Sequence, residues 1–188
     1  MTKYEYDIFL SHSEQDEDLI ARIHNSLLKL GLEVYVEEYE STYGEDLVDC
    51  VCDAIEKSNY FLVVLTDKSI KSQWVNQEIG YAFALEKDII PVRVGEIQHT
   101  GMISNIKSVK AKANDYESII TEILYHFADL EDITEFSYEC DKCDEDDMWS
   151  LPDESDLKQW VKRKEPFKLE CTCGYANKLN PRTLESIK

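Results

Sequence analysis

Two groups of residues in this 188-residue chain have types and spacing suited to chemistry. The first lies in SQWVNQEIGYAFAL, residues 72–85. Read as a helix, it puts Val75, Ile79, Ala82 and Phe83 on one face, at the spacing of a buried stripe. Trp74, Glu78, Tyr81 and Leu85 form a second stripe about 100° round from the first. The Glu78 carboxylate then sits between two aromatic rings, one turn to each side. Its neighbours at three and four residues' distance are Trp74, Val75, Tyr81 and Ala82, none of them basic, so no helical ion pair accounts for it. Such a carboxylate can stabilise positive charge; the plain alternative is a solubilising helix residue beside a packing tryptophan.

The second group is Cys140-x-x-Cys143 and Cys171-x-Cys173-Gly174. Four thiolates in two close pairs suit a tetrahedral zinc site of the ribbon type, although the second pair has one residue fewer than the commoner spacing. Four cysteine ligands leave no open coordination position, so the expected Zn2+ is structural. The alternative is four unrelated reduced thiols. Cys50 and Cys52 stand two apart in a predicted helix, on nearly opposite faces, and cannot chelate together; Cys52 reads as core.

Composition narrows the setting. The longest apolar run, YFLVVL at 60–65, is far short of the roughly 20 residues that a membrane span needs. The N-terminus, MTKYEYDIFL, has no apolar h-region or cleavage site. A soluble, cytoplasmic protein with no membrane partner is expected, and in a reducing compartment paired cysteines point to metal before disulfide. The net charge is −19. Between Asp129 and Asp156 stand 13 acidic residues against one lysine, Lys142, a block that reads as a solvated linker and argues against nucleic acid as a partner. The short basic run Lys162-Arg163-Lys164 offsets those acids or, less specifically, marks a phosphate contact. With so little apolar material, the tail needs a staple to fold, around which Phe136, Tyr138, Trp149, Trp160, Phe167 and Tyr175 can pack.

The elements that must position these groups alternate. Strands are predicted at 5–10, 32–36, 60–65, 89–94 and 108–113. Between them lie a helix opened by a Ser13–Asp16 capping box and closed at Gly31, a helix carrying Leu47, Val48, Val51, Cys52 and Ile55, and the helix of residues 72–85. An Asn114–Glu117 box opens a closing helix with Tyr116, Ile119, Ile120, Ile123, Leu124 and Phe127. Pro91 suits a strand near a sheet edge. This pattern predicts an α/β fold, a flavodoxin-like five-stranded parallel sheet in the order 2-1-3-4-5 with helices on both faces, plus a small C-terminal zinc-ribbon-like appendage. The expected division is 1–130 for the sheet domain and 131–188 for an acidic linker and a four-cysteine zinc-ribbon-like domain. Ligands of such sheets bind beyond the carboxyl ends of the strands. SHSEQD, the loop at 37–45 and TDKS meet there, and Glu78 lies in the first two turns of a helix that starts at the same rim. Ser11 is at this rim, and beside it His12 reads either as polar lining or as an ordinary capping or surface histidine. No G-x-G-x-x-G, Walker motif or evident Ser-His-Asp set is present.

YDIFLSHSEQD at 6–16, GEDL at 44–47, YFLVVLT at 60–66 and SQWVNQEI at 72–79, in that order, resemble a TIR domain (Toll/interleukin-1 receptor fold) of bacterial or archaeal type. The resemblance covers residues 4 to about 130. It implies one of two functions. Some members are adaptors, non-enzymatic interaction modules that signal by self-association. Others are NAD+ nucleosidases that cleave the nicotinamide–ribose bond to nicotinamide and ADP-ribose or a cyclic form, in prokaryotic defence or stress signalling. In the enzymes a Glu in a W-x-x-x-E context is essential, which matches Trp74 and Glu78. The resemblance implies Glu78 as the catalytic residue and Ser11, His12, Trp74, Tyr43 and Gly44 as substrate contacts. The resemblance also implies homo-oligomers formed through the TIR domains, and a contact of the tail with another protein is an expectation. Adaptors often carry Pro-Gly in the loop after the second strand; ESTYGE, with Gly44 and no proline, leans toward the enzymes. Some enzymes have a basic residue after the first strand, where this chain has SHSEQD. Backbone N–H groups at the first helix, Lys68, Lys71 or Arg93 are then the candidates for the pyrophosphate, each lysine or arginine being equally readable as surface charge.

Overall fold

A computed structural model describes residues 4–37, 47–98, 101–112, 115–152 and 166–187. Strands β1 (Tyr6–Ser11), β2 (Val34–Tyr35), β3 (Ser58–Leu65), β4 (Asp88–Val94) and β5 (Val109–Ala111) form one parallel sheet in the order β2-β1-β3-β4-β5, as the alternation of elements predicts. Helices α1 (Glu17–Lys29) and α4 (Tyr116–Leu130) share one apolar cluster; α2 (Leu47–Lys57) and α3 (Gln73–Ala84) share the other. The strands alternate between the two. In β3, Leu62 and Val64 face the α1/α4 side, while Phe61, Val63 and Leu65 face the α2/α3 side. Both faces of β3 are therefore dry, and each such side chain contributes roughly 1.5–3 kcal/mol. On the α2/α3 face, Phe9 stacks on Tyr35 and on Phe61, each at 5.4 Å, tying β2, β1 and β3 together.

Several local expectations change. β2 spans two residues instead of 32–36, and β5 three, because both are edge strands paired on one side. Pro91 lies in β4, one strand in from the edge, where β5 pairs only with Val92–Val94 and so does not reach it. The Ser13–Asp16 capping box does not form: Ser13 heads a 3-10 turn, Glu14–Asp16, with no side-chain cap bond, and the Asp16 carboxylate is drawn to the loop after β3. At α4 the cap is Asp115, whose carboxylate accepts from the Ser118 N–H; Asn114 lies outside the described residues. α2 buries Val51, Ala54 and Ile55, while Leu47 and Val48 in its first turn are exposed and Cys52 is half-buried.

Gly31 does end α1. Its N–H reaches the Leu28 carbonyl at 2.9 Å and the Leu32 N–H reaches Leu27 at 3.4 Å, the two bonds of a Schellman turn. Gly31 has φ +77°, and a Cβ there would meet nothing within 4 Å. Gly31→Ala is therefore expected to cost backbone strain alone, about 1 kcal/mol, read as a small drop in the denaturation midpoint.

The acidic stretch expected as a linker carries an antiparallel hairpin, β6 (Glu135–Glu139) with β7 (Asp146–Ser150). In β6 the charges point outward while Phe136 and Tyr138 point in, so alternation lets an acidic segment keep an apolar face. A second hairpin, β8 (Phe167–Glu170) with β9 (Ala176–Leu179), follows. Phe136, Tyr138, Leu169, Leu179 and Leu184 join the same cluster as α1 and α4, with Trp149 and Phe167 against its edge. Of the other aromatics named for this core, Tyr175 is exposed and Trp160 lies outside the described residues. Polar bonds reinforce the seam. Lys29 Nζ donates to Leu184 O at 2.7 Å, and Glu117 accepts from Asn180 at 2.8 Å and from Arg182 at 3.1 Å. Burial holds the Lys29 amine below its ordinary value, against the opposing pull of Glu185. The tail and the sheet domain thus share one core.

Candidate active site and thiol cluster

Ser72 caps α3, its Oγ accepting from the Val75 N–H at 3.3 Å, so the helix starts at the carboxyl-end rim of β3 as expected. Of the apolar face proposed for this helix, Val75, Ile79 and Ala82 are buried and Phe83 is 48% exposed. At 100° per residue Phe83 stands about 80° from Val75 on one side, and Glu78 about 60° on the other. The buried arc is tilted toward Glu78, which is only 6% exposed. A buried carboxylate costs several kcal/mol unless hydrogen-bonded. Here Ser11, the last residue of β1, supplies a bond: its Oγ–H donates to Glu78 Oε2 at 2.6 Å. That length is usual for a hydroxyl on a charged carboxylate.

The flanking aromatics are tied by their polar tips. Trp74 Nε1–H donates to Glu37 Oε2 at 2.9 Å, and Tyr81 Oη–H donates to Glu56 Oε1 of α2 at 2.5 Å. The bond to Glu56, with burial second, pushes the Tyr81 phenol up to about 12. Glu37 and Glu56 were not legible as site residues. They lie 37 and 25 positions from their partners, and only the fold brings them close.

The loops after β1 and β3 are cross-linked. Asp16 accepts from Thr66 Oγ1 at 2.6 Å and from Lys68 Nζ at 2.9 Å. Lys68, a candidate for the pyrophosphate, is thus already engaged. Glu14, Asp16, Glu17 and Asp18 crowd the start of α1 and offset the positive end of its dipole, which opposes an anion there. Arg93 donates to Ile97 O at 3.0 Å and lines a separate cleft of about 1590 Å3, with Asp88, Lys107, His126 and Asp129; neither Ser11 nor Glu78 lines it. Lys71 is exposed, in the 3-10 turn before α3. His12 is half-buried beside Ser11, its Nδ1 3.2 Å from Leu10 O; a carbonyl only accepts, so Nδ1 carries the proton. Tyr43 and Gly44, with residues 38–46 of the loop, lie outside the described residues.

The four tail cysteines come together. Cys140 and Cys143 follow β6, Cys171 and Cys173 follow β8, and all four sulfurs lie within 4.8 Å of one another. Cys140 and Cys173 are 3.8 Å apart, Cys143 and Cys171 3.6 Å. Sulfurs at about 2.3 Å from a tetrahedral metal stand roughly 3.8 Å from each other, whereas a disulfide needs about 2.05 Å. Each pair is held in a tight turn: Asp144 N–H on Cys140 O at 3.0 Å, and Gly174 N–H on Cys171 O at 2.8 Å. Gly174 takes φ +79°, which a glycine adopts without strain. Asn177, fully buried, donates to Cys140 Sγ at 3.6 Å and accepts from the Asp141 N–H at 3.1 Å. No spacing rule marks Asn177 in the sequence. Burial pushes the Cys140 thiol up, but the N–H groups of Lys142 and Cys143 and the Asn177 amide outweigh it and bring it down to about 6. At Cys143 the Glu145 N–H pulls down, and burial with the neighbouring sulfurs wins, up to about 12. Four soft sulfur donors gathered at this spacing could bind a thiophilic cation, which ionises the thiols it coordinates.

A family model described as TIR domain matches residues 8–124. A protein of Methanobrevibacter olleyae named probable 2′ cyclic ADP-D-ribose synthase TcpO is 32% identical over 66% of this chain and 39% of its own length. One of Acinetobacter baumannii, named 2′ cyclic ADP-D-ribose synthase AbTIR, is 29% identical over 69% of this chain and 50% of its own. One of a Theionarchaea archaeon, named NAD(+) hydrolase TcpA, is 27% identical over 64% and 40%. The chain therefore spans half or less of the length of these relatives. Among solved structures, the TIR domain of the Toll-related receptor TRR-2 of Hydra magnipapillata matches with a TM-score of 0.57 at 20% identity, over 67% of this chain and 98% of that one, a likeness of fold.

Proposed function

The chain belongs to the TIR domain family, and on that premise we propose that it cleaves NAD+ at the nicotinamide–ribose bond, releasing nicotinamide and ADP-ribose or a cyclic ADP-ribose. The observation that carries this reading is the buried Glu78 carboxylate, held by Ser11 at the rim where the β1 and β3 connections leave the sheet. As the bond breaks, its electron pair leaves with nicotinamide, whose cationic ring becomes neutral, so no general acid is needed. The ribose becomes oxocarbenium-like. Water then adds to its anomeric carbon and loses a proton, giving ADP-ribose, or a hydroxyl of the same molecule adds instead, giving the cyclic product. Glu78 stabilises the positive charge on the ribose, Trp74 offers ring surface and His12 polar lining. The names of the relatives from Methanobrevibacter, Acinetobacter and the Theionarchaea archaeon support the same chemistry.

In this reading the thiol cluster holds a structural zinc ion, since four soft sulfur donors select zinc over hard cations. The ion would take no part in the reaction at Glu78. The protein works in the prokaryotic cytoplasm, in defence or stress signalling, and its activity depends on self-association through the TIR domains. Among the described residues no helix is long and apolar enough to cross a membrane.

Nicotinamide release from NAD+ by purified protein, followed over a range of protein concentrations, tests this. The expected result is release with a rate per mole that rises with concentration. A constant rate per mole counts against self-association, and no release at any concentration moves the function to a non-enzymatic interaction module.

A further inference from the structure

We infer that Ser11 is a positioning residue for Glu78: its hydroxyl fixes the carboxylate by a hydrogen bond instead of contacting NAD+ itself. The inference deepens the NAD+-cleaving reading and rests on it for its kinetic consequences.

Three observations carry it. First, Ser11 is only 1% exposed and Glu78 6%, so the pair is buried together and the hydroxyl has almost no surface left for a substrate. Second, the bond is short, 2.6 Å, and spans 67 positions of sequence. It joins the end of a strand lying between β2 and β3 to the second turn of α3. Alternation dictates it: Phe9 packs in the α2/α3 layer, and Ser11, two residues on, points the same way. Third, the ground beneath the bond is rigid. Ser11 pairs with Val63 of β3, and Asp16 bonds Thr66 and Lys68 across the loops that follow the two strands. A glutamate has three side-chain rotors, and holding it in one arrangement costs up to about 2 kcal/mol of rotamer entropy. A bond from a fixed hydroxyl meets that cost before substrate arrives, which is how a site built on regular elements holds its geometry.

Among the described residues, the charged or ionisable side chains bonded around this rim include His12 after β1, Asp16 and Lys68 across the loops after β1 and β3, Glu37 after β2, bonded to Trp74, and Glu56 of α2, bonded to Tyr81. None is altered by a change at position 11, so a changed titration at Glu78 reports the lost hydroxyl.

The test uses the full chain as wild type, Ser11→Ala, Ser11→Thr, Glu78→Gln and the Ser11→Ala/Glu78→Gln pair. Nicotinamide release is measured against NAD+ concentration and pH, and the Glu78 carboxyl is titrated by carbon-detected NMR. Ser11→Ala is expected to lower kcat about tenfold or more with KM within about twofold, because geometry and not binding is lost. The acid limb of kcat and the NMR titration should both move to higher pH, since a hydrogen bond to the ionised form favours it. Ser11→Thr keeps the hydroxyl and should recover most of the rate, and Ser11→Ala should add nothing to Glu78→Gln. A raised KM with unchanged kcat makes Ser11 a substrate contact and overturns the inference, as does an NMR titration that does not move in Ser11→Ala. A wild type that releases no nicotinamide overturns the NAD+ reading alone, and the NMR titration still decides whether Ser11 holds Glu78.

Discussion

Glu78→Gln is expected to release nicotinamide from NAD+ about 100-fold or more slowly than the wild type, with its fold and its affinity for NAD+ little changed. The substitution keeps shape, and a glutamine carbonyl still accepts from the Ser11 hydroxyl; only the negative charge is lost. The size of the effect depends on where the charge sits. Unit charges about 4 Å apart interact by about 1 kcal/mol in water but about 4 kcal/mol at an effective dielectric of about 20. The first figure is worth less than tenfold in rate, the second about a thousandfold. With Glu78 only 6% exposed, the larger figure applies. The stability change is expected to be small or favourable, because a neutral amide is cheaper to bury than a carboxylate. Nicotinamide release by both proteins side by side, with circular dichroism and a melting curve as controls, checks this. Equal rates would remove Glu78 from the chemistry, and a collapsed fold in Glu78→Gln would make it a structural residue.

Purified protein is expected to carry about one zinc per chain, and the Cys171→Ser/Cys173→Ser variant none. The consequence for stability is large because the tail does not stand apart. Phe136, Tyr138, Leu169, Leu179 and Leu184 belong to the cluster that also holds α1 and α4. Structural zinc is worth roughly 10 kcal/mol or more in small domains. If even a third of that reaches the shared core, the melting temperature of the whole chain drops by about 10 °C, at roughly 2–4 °C per kcal/mol for a chain of this size. Metal analysis and calorimetry measure both. Full metal content in the double variant would sink the site. Metal loss with an unshifted main transition would show that the two parts unfold separately despite their common core.

The sheet was legible because its signals are local. Two-residue alternation and the unbroken apolar run of 60–65 identify a strand covered on both faces, and β3 is that strand. Gly31 marks a helix end through bonds made within a few residues. Cysteine spacing identified the four thiols, since each pair lies within one turn. Where a signal was local but competed with a distant partner, it failed. Asp16 fitted a capping box on its own helix, yet its carboxylate is taken by Thr66 and Lys68, 50 and 52 positions away.

The sequence by itself therefore determined the alternation of strands and helices, the helix that carries Glu78 and the grouping of the cysteines, because each follows from periodicity or spacing over a few residues. Only the tertiary structure decided what those residues meet. The helical wheel placed Glu78 on the shoulder of a stripe, but which shoulder is buried depends on how α3 tilts against β1 and β3. That tilt turned a residue readable as surface charge into a buried carboxylate bonded to Ser11. In the same way the acidic count between Asp129 and Asp156 suggested a linker, because summed charge ignores direction. A strand sends alternate side chains to opposite faces, so Phe136 and Tyr138 could be buried against α1 and α4 while the carboxylates beside them stayed in water.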